Sequence, residues 1–145
     1  MSWTSTREEV VEDASNRHLS GSNCAQSVAC ALAPLTDLTV DQLFSATEGL
    51  GLGMGSMAGT CGAISGACIV AGCMNSCGDP DSPTTKKSTY AICRKLMDAY
   101  DEQVGSVTCA AIKGRTGGPI LMPCHECVRT AAGIAYDILV VPQNQ

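Results

Sequence analysis

Hydrophobic positions in this chain recur at helical spacing, and no stretch shows the alternation with a period of two that is typical of a β-strand. Near the N-terminus, Val10, Val11, Ala14 and His18 follow overlapping capping-box patterns at that spacing. The pattern predicts a first helix over about residues 7–19.

Capping residues, glycines and prolines delimit further helices. They are predicted over residues 24–32, 39–44, from 56 or 60 to 74, 86–104, 106 to about 114, and from about 123 onward. A chain of 145 residues suits one domain with its own core. We therefore expect a single all-α domain over residues 1–145, a compact bundle of about five to six helices around a buried central helix rich in Gly, Ala and Cys.

The central segment, residues 49–78, carries no charge and contains the G-x-x-x-G pairs Gly55/Gly59 and Gly62/Gly66. Its length and these pairs are compatible with a membrane span. Its many glycines and polar residues, however, keep it only weakly hydrophobic. A helix buried inside a bundle is the better prediction, with no membrane insertion.

Composition narrows the possible partners and the compartment. The net charge of -5 and the pI near 4.8 oppose nucleic-acid binding, because that affinity depends on Lys and Arg at the phosphates. The polar, acidic N-terminal stretch lacks the basic start and apolar run of a secretory signal, so a cytoplasmic protein is expected. Ten cysteines in a reducing compartment favour metal or redox chemistry over structural disulfides.

Three of the cysteines, Cys24, Cys109 and Cys124, fall in the first turns of predicted helices. The positive end of a helix stabilises a thiolate and lowers the pKa of the thiol. Thiolates bind metals and attack disulfides, so these positions are candidates for chemistry.

A fourth cysteine, Cys61, lies between Gly59-Thr60 and Gly62 in the central segment. Glycines beside it would leave room for a bulky group to lie against the backbone and accept its N–H hydrogen bonds. An anionic cluster is one such group, and close helix packing is an equally good reason for glycines here.

The residues alone leave the chemistry of these thiols open. Four thiolates suit zinc or an iron–sulfur cluster, and the dispersed spacing matches neither ferredoxin runs nor paired zinc knuckles. The C-x-x-C of Cys124 and Cys127 also suggests a thiol–disulfide oxidoreductase, in which a low-pKa cysteine attacks and Cys127 resolves the mixed disulfide.

Motifs in order along nearly the whole chain carry a family resemblance. They are Asn23-Cys24-Ala25-Gln26-Ser27-Val28, GLGMG before Cys61-Gly62-Ala63-x-x-Gly66, Gly105-Ser106-x-x-Cys109, and Cys124-x-x-x-Val128-x-x-Ala131-Ala132. The chain resembles the C_GCAxxG_C_C family of small redox-active proteins. The resemblance implies that Cys24, Cys61, Cys109 and Cys124 hold one iron–sulfur cluster. A related domain occurs in split-Soret cytochromes, where a non-haem [2Fe–2S] centre has been described. The resemblance therefore implies that the cluster is of the [2Fe–2S] type.

Six cysteines lie outside the four-cysteine pattern: Cys30, Cys68, Cys73, Cys77, Cys93 and Cys127. Of these, Cys30, Cys68 and Cys93 are expected to be small buried hydrophobic residues on apolar helix faces. The leading hypothesis is an iron–sulfur protein for electron transfer or redox sensing, which leaves open whether it is an enzyme. A thiol–disulfide oxidoreductase or a structural zinc module is the alternative. A redox partner protein is expected, and two copies could associate through small-residue faces.

Overall fold

The computed structural model describes residues 3–144, which contain eight α-helical segments, two of them only four residues long. The segments are α1 (Arg7–Leu19), α2 (Cys24–Ala31), α3 (Val40–Thr47), α4 (Gly51–Met54), α5 (Gly62–Asn75), α6 (Lys86–Val104), α7 (Cys109–Ile112) and α8 (Cys124–Ala135). A π-helical turn, Tyr136–Val140, continues α8. Between residues 3 and 144 there is no β-strand, and one isolated antiparallel bridge joins Thr60 to Thr108.

The predicted all-α class is confirmed, with six helices of eight or more residues. The bounds of α1 and α6 agree with the sequence patterns. The central helix α5 begins at Gly62, later than either predicted start. The positive φ of Met57 prevents a start at residue 56, and the bridge between Thr60 and Thr108 keeps the backbone extended up to Cys61. Positive φ angles at Leu52 and Met54 also make the short turn α4 irregular.

Helix α5 lies at the centre of the bundle and packs against α2, α6 and α8. A methyl group on Gly66 would come within 2.6 Å of the Ala25 carbonyl oxygen, so the small residue lets α2 approach the α5 backbone. Side chains such as Ile64, Ala67 and Val70 are fully buried there. Of the two explanations for the central glycines, close helix packing accounts for Gly66.

Helices α5 and α6 run antiparallel along one seam, marked by three contacts. The Cys61 sulfur meets the Tyr100 hydroxyl near one end. The Asn75 side chain donates hydrogen bonds to Ser88 and Thr89 at the other end. Leu96 and Tyr100 are buried on α6 as its amphipathic pattern indicates, whereas Tyr90, predicted on the same face, is 59% exposed because it lies beyond the core.

None of the helices in residues 3–144 combines the length and the apolar character needed to cross a lipid bilayer. The weakly hydrophobic central segment forms α5, only 14 residues long, and the loop before it. The uncharged run is therefore divided between a buried helix and an irregular segment.

Candidate functional site

A pocket of about 200 Å³ opens where the N-terminal ends of α2, α5, α7 and α8 meet. Five cysteines line it: Cys24, Cys61, Cys109, Cys124 and Cys127. The structure thus places all four cysteines singled out from the sequence around one cavity and adds a fifth thiol. The remaining lining residues are His18, Asn23, Leu52, Gly62 and Lys113.

Helix starts position these thiols. Cys24, Cys109 and Cys124 are the first residues of α2, α7 and α8, and Cys61 is the N-cap of α5. At α2 the start is fixed by a capping box, in which the Gln26 amide donates to the side chain of the preceding N-cap at 2.9 Å. The predicted positions of Cys24, Cys109 and Cys124 in first turns are confirmed.

Two loop segments hold Cys61 and Cys109 side by side. The Cys61 amide donates to the Val107 carbonyl at 2.6 Å, and the Cys109 amide donates to the Gly59 carbonyl at 3.0 Å. These bonds flank the bridge between Thr60 and Thr108. A short antiparallel backbone pairing, which the sequence did not reveal, therefore brings two distant cysteines to the same wall.

Glycines also position the thiols. A Cβ on Gly62 would lie 2.5 Å from the Cys24 sulfur, and one on Gly53 would lie 2.5 Å from the Cys109 Cβ. A Cβ on Gly59 would lie 2.9 Å from the Gly53 carbonyl oxygen. In the direction that a side chain would take, protein atoms therefore fill the room beside these glycines, which makes close packing one reason for them.

The buried hydroxyl of Tyr100 lies 3.1 Å from the Cys61 sulfur. Cys127, only 1% exposed, lines the same pocket beside this sulfur. The Cys127 hydrogen bond first, and the Tyr100 and backbone hydrogen bonds after it, hold the pKa of Cys61 below its usual range despite burial. The pKa of Cys127 is raised by that same contact with Cys61, and burial raises the pKa of Tyr100. These pKa shifts favour the charged form at Cys61 and the protonated form at Cys127 and Tyr100.

Helix starts do not lower the pKa of Cys24 or of Cys109 as the sequence argument expects. Burial raises the pKa of Cys24 and of Cys109, and the nearby thiols raise both further. Lys113 partly opposes the shift at Cys109. The expectation was wrong for these two residues because desolvation of a buried thiolate outweighs the stabilisation from the helix end.

Cationic and imidazole groups border the pocket. The Lys113 side chain hydrogen-bonds to Cys124, which raises the pKa of the lysine. His18 lines the cavity, and its Nδ1 lies 3.0 Å from Nδ1 of His125, whose Nε2 lies 2.9 Å from the Ser15 hydroxyl. Sequence reasoning missed these groups, since the two histidines are 107 residues apart and no local pattern pairs them.

The size of the cavity bears on what it could hold. About 200 Å³ is far more than the roughly 30 Å³ that one water molecule occupies in the liquid, so a group of several atoms fits among the thiols. In residues 3–144 no three His, Cys, Asp or Glu side chains stand in an arrangement that would hold a single metal ion.

Residues 22–138 match the sequence profile of the family described as "Putative redox-active protein (C_GCAxxG_C_C)". The chain belongs to this family. The matched region contains all five thiols of the pocket. A redox role follows at the level of the family, and the resemblance noted in the sequence is confirmed. No curated protein and no solved structure matches the chain.

Proposed function

We propose that this protein holds an iron–sulfur cluster, most fittingly a [2Fe–2S] cluster, through Cys24, Cys61, Cys109 and Cys124, and that it transfers or senses electrons. The observation that carries the proposal is the shared pocket of four cysteines from four separate helix starts. When bound, such a cluster supplies reversible electron exchange.

The donor set and the shape of the pocket both support a cluster. Soft thiolates are the ligands of iron–sulfur centres, and four suffice for a [2Fe–2S] cluster. A single zinc ion needs four sulfurs about 2.3 Å from one point, and the wide cavity supports that alternative less well. Lys113 and the helix ends would offset the negative charge of the thiolates and cluster.

The groups around the sulfurs would tune the cluster. Tyr100, and Cys127 beside it, donate to the Cys61 sulfur inside the core. Hydrogen bonds to ligand sulfurs favour the more negative, reduced state, because they strengthen as charge accumulates. The Tyr100 hydroxyl should therefore raise the reduction potential.

We expect Tyr100→Phe to lower the reduction potential of the reconstituted protein by on the order of 50 mV, since one hydrogen bond to a charged sulfur is lost. Potentiometric titration followed by visible spectroscopy measures this shift. Tyr90→Phe is the matched control, because it makes the same change on an exposed position of α6. Equal potentials in the two variants would contradict the role of Tyr100.

The proposal is tested by anaerobic purification and reconstitution with iron and sulfide. The expected product is coloured, absorbs in the visible range and contains iron and acid-labile sulfide in equal amounts. Zinc in place of iron would favour the structural alternative. Protein that stays colourless and free of iron after reconstitution would refute the cluster.

A second function, thiol–disulfide exchange, is supported by the contact between Cys61 and Cys127. The Cys61 thiolate would attack a substrate disulfide and release one substrate thiolate, and Cys127 would then displace the second and leave a protein disulfide. Alkylation separates the two functions. A dithiol enzyme would show one reactive pair in the purified protein, whereas cluster ligands would react only after the cluster is lost.

A further inference from the structure

A second group of cysteines lies outside the thiol pocket, along the groove between α5 and α6. Cys68, Cys73 and Cys77 line this groove, and Cys93 faces Cys68 from α6. The Cys93 thiol donates to the Cys68 carbonyl oxygen at 3.9 Å, which places the two residues against each other across the seam.

The seam between the two helices explains why these thiols meet. Cys68 follows Cys61 by seven residues on α5, and Cys93 precedes Tyr100 by seven on α6. Because the helices are antiparallel, the Cys68–Cys93 contact repeats the Cys61–Tyr100 contact two turns along the seam, about 10 Å away. The packing register therefore places the two thiols opposite each other.

We propose that Cys68 and Cys93 form a second redox site, a dithiol that closes to a disulfide between α5 and α6 on reaction with a low-molecular-weight disulfide. Both residues are partly exposed, and Cys68 lines an open groove that such a small molecule can enter. Both residues pack against the hydrophobic core, as expected of small apolar side chains, but each is only partly buried.

The side-chain hydrogen bonds of the described residues join no other cysteine outside the pocket to a second cysteine. Cys30 contacts the Val40 carbonyl, and Cys77 contacts the carbonyls of Asp79 and Ser82. Cys73 is exposed near the C-terminal end of α5. Cys68 and Cys93 are the two cysteines outside the pocket that are joined by a hydrogen bond across the seam, from the Cys93 thiol to the Cys68 carbonyl.

The proposed reaction is a two-step thiol–disulfide exchange. One thiol of the pair, on losing its proton, attacks a sulfur of the small disulfide and releases one small thiolate. The second protein thiol, on losing its proton, attacks the mixed disulfide and releases the other. The two protons of the pair pass to the two small thiolates, so the protein loses two electrons and the small disulfide gains them.

Mass spectrometry after oxidation tests the proposal on the full-length protein, with oxidised glutathione as the probe. Cys93 is alone in the tryptic peptide of residues 88–94, so any disulfide it makes is read without ambiguity. We expect this peptide to be cross-linked to the peptide that contains Cys68, with fragmentation assigning the bond to Cys68. The cross-link should disappear in Cys68→Ser, where Cys93 should keep the mixed disulfide with glutathione.

Cys73→Ser is the matched control, since Cys73 lies on the same helix and lines the same groove. It should form the cross-link to the same extent as the wild type. A Cys93 peptide that stays unlinked in the wild type, or that links to Cys73 or Cys77, overturns the proposal. The cross-link can be measured whether or not the protein holds a cluster, so this test is independent of the proposed function.

Discussion

Cys61→Ser is expected to abolish retention of the cluster and to lower the metal affinity by at least about a hundredfold. Loss of a residue that only hydrogen-bonds to a metal ligand already lowers the affinity by up to about a hundredfold, and loss of a ligand should cost more. Three reasons single out this residue. The pKa of its thiol is lowered, the residue is buried, and the Tyr100 hydroxyl lies 3.1 Å from its sulfur. Iron and sulfide analysis after reconstitution measures the loss.

Cys30→Ser is the control for this experiment. Cys30 is also buried, at 3% exposure, but it lies outside the pocket and hydrogen-bonds to the Val40 carbonyl at 3.7 Å. We expect the Cys30→Ser protein to bind as much iron as the wild type. If circular dichroism shows both variants folded and they retain equal iron, the assignment of Cys61 as a ligand is wrong.

The fifth thiol of the pocket requires its own control. Cys127 lies beside Cys61, so it could replace Cys124 as a ligand from the same helix. On the proposed assignment, iron is lost in Cys124→Ser and retained in Cys127→Ser. The opposite result would identify Cys127 as the fourth ligand in place of Cys124, and the proposal of a cluster would stand.

Gly62→Ala is expected to destabilise the protein by about 1–3 kcal/mol and to reduce cluster loading sharply. The added methyl group would come within 2.5 Å of the Cys24 sulfur and 2.9 Å of the Leu50 carbonyl oxygen. Relief of this overlap must displace a proposed ligand or the loop against which α5 begins. Urea denaturation and iron analysis measure the two effects separately.

Gly72→Ala provides the comparison within the same helix. A methyl group there meets nothing within 4 Å, so alanine should stabilise α5 by up to about 1 kcal/mol and leave cluster loading unchanged. If Gly62→Ala behaves like Gly72→Ala in both measurements, contact with Gly62 does not position Cys24.

The two sites together account for most of the ten cysteines. Five line the thiol pocket and three line the groove, with Cys93 meeting Cys68 at the groove. Helix α5 connects the two groups, since Cys61 is its N-cap and Cys68 lies in its interior. A cysteine-rich central helix thus serves both sites in a chain with few aromatic residues.

Local interactions were enough to predict much of the architecture. The capping boxes at Thr6 and Asn23 and the amphipathic pattern of residues 86–104 are encoded within a few residues, and α1, α2 and α6 begin where those patterns place them. The same local signals placed Cys24 and Cys124 at helix starts. These particular helix starts depend mainly on neighbours in sequence, so the amino-acid order is sufficient for them.

Contacts between distant segments decided the rest. The Cys61–Tyr100 contact spans 39 residues and the histidine pair spans 107, and no local pattern specifies either. Burial, which only the packed bundle sets, reversed the expected pKa shifts of Cys24 and Cys109. The sequence could name the thiols and the helices that carry them. Which thiols meet, and which of them carries charge, depends on how those helices pack, because desolvation and hydrogen bonding at a sulfur come from residues remote in the chain.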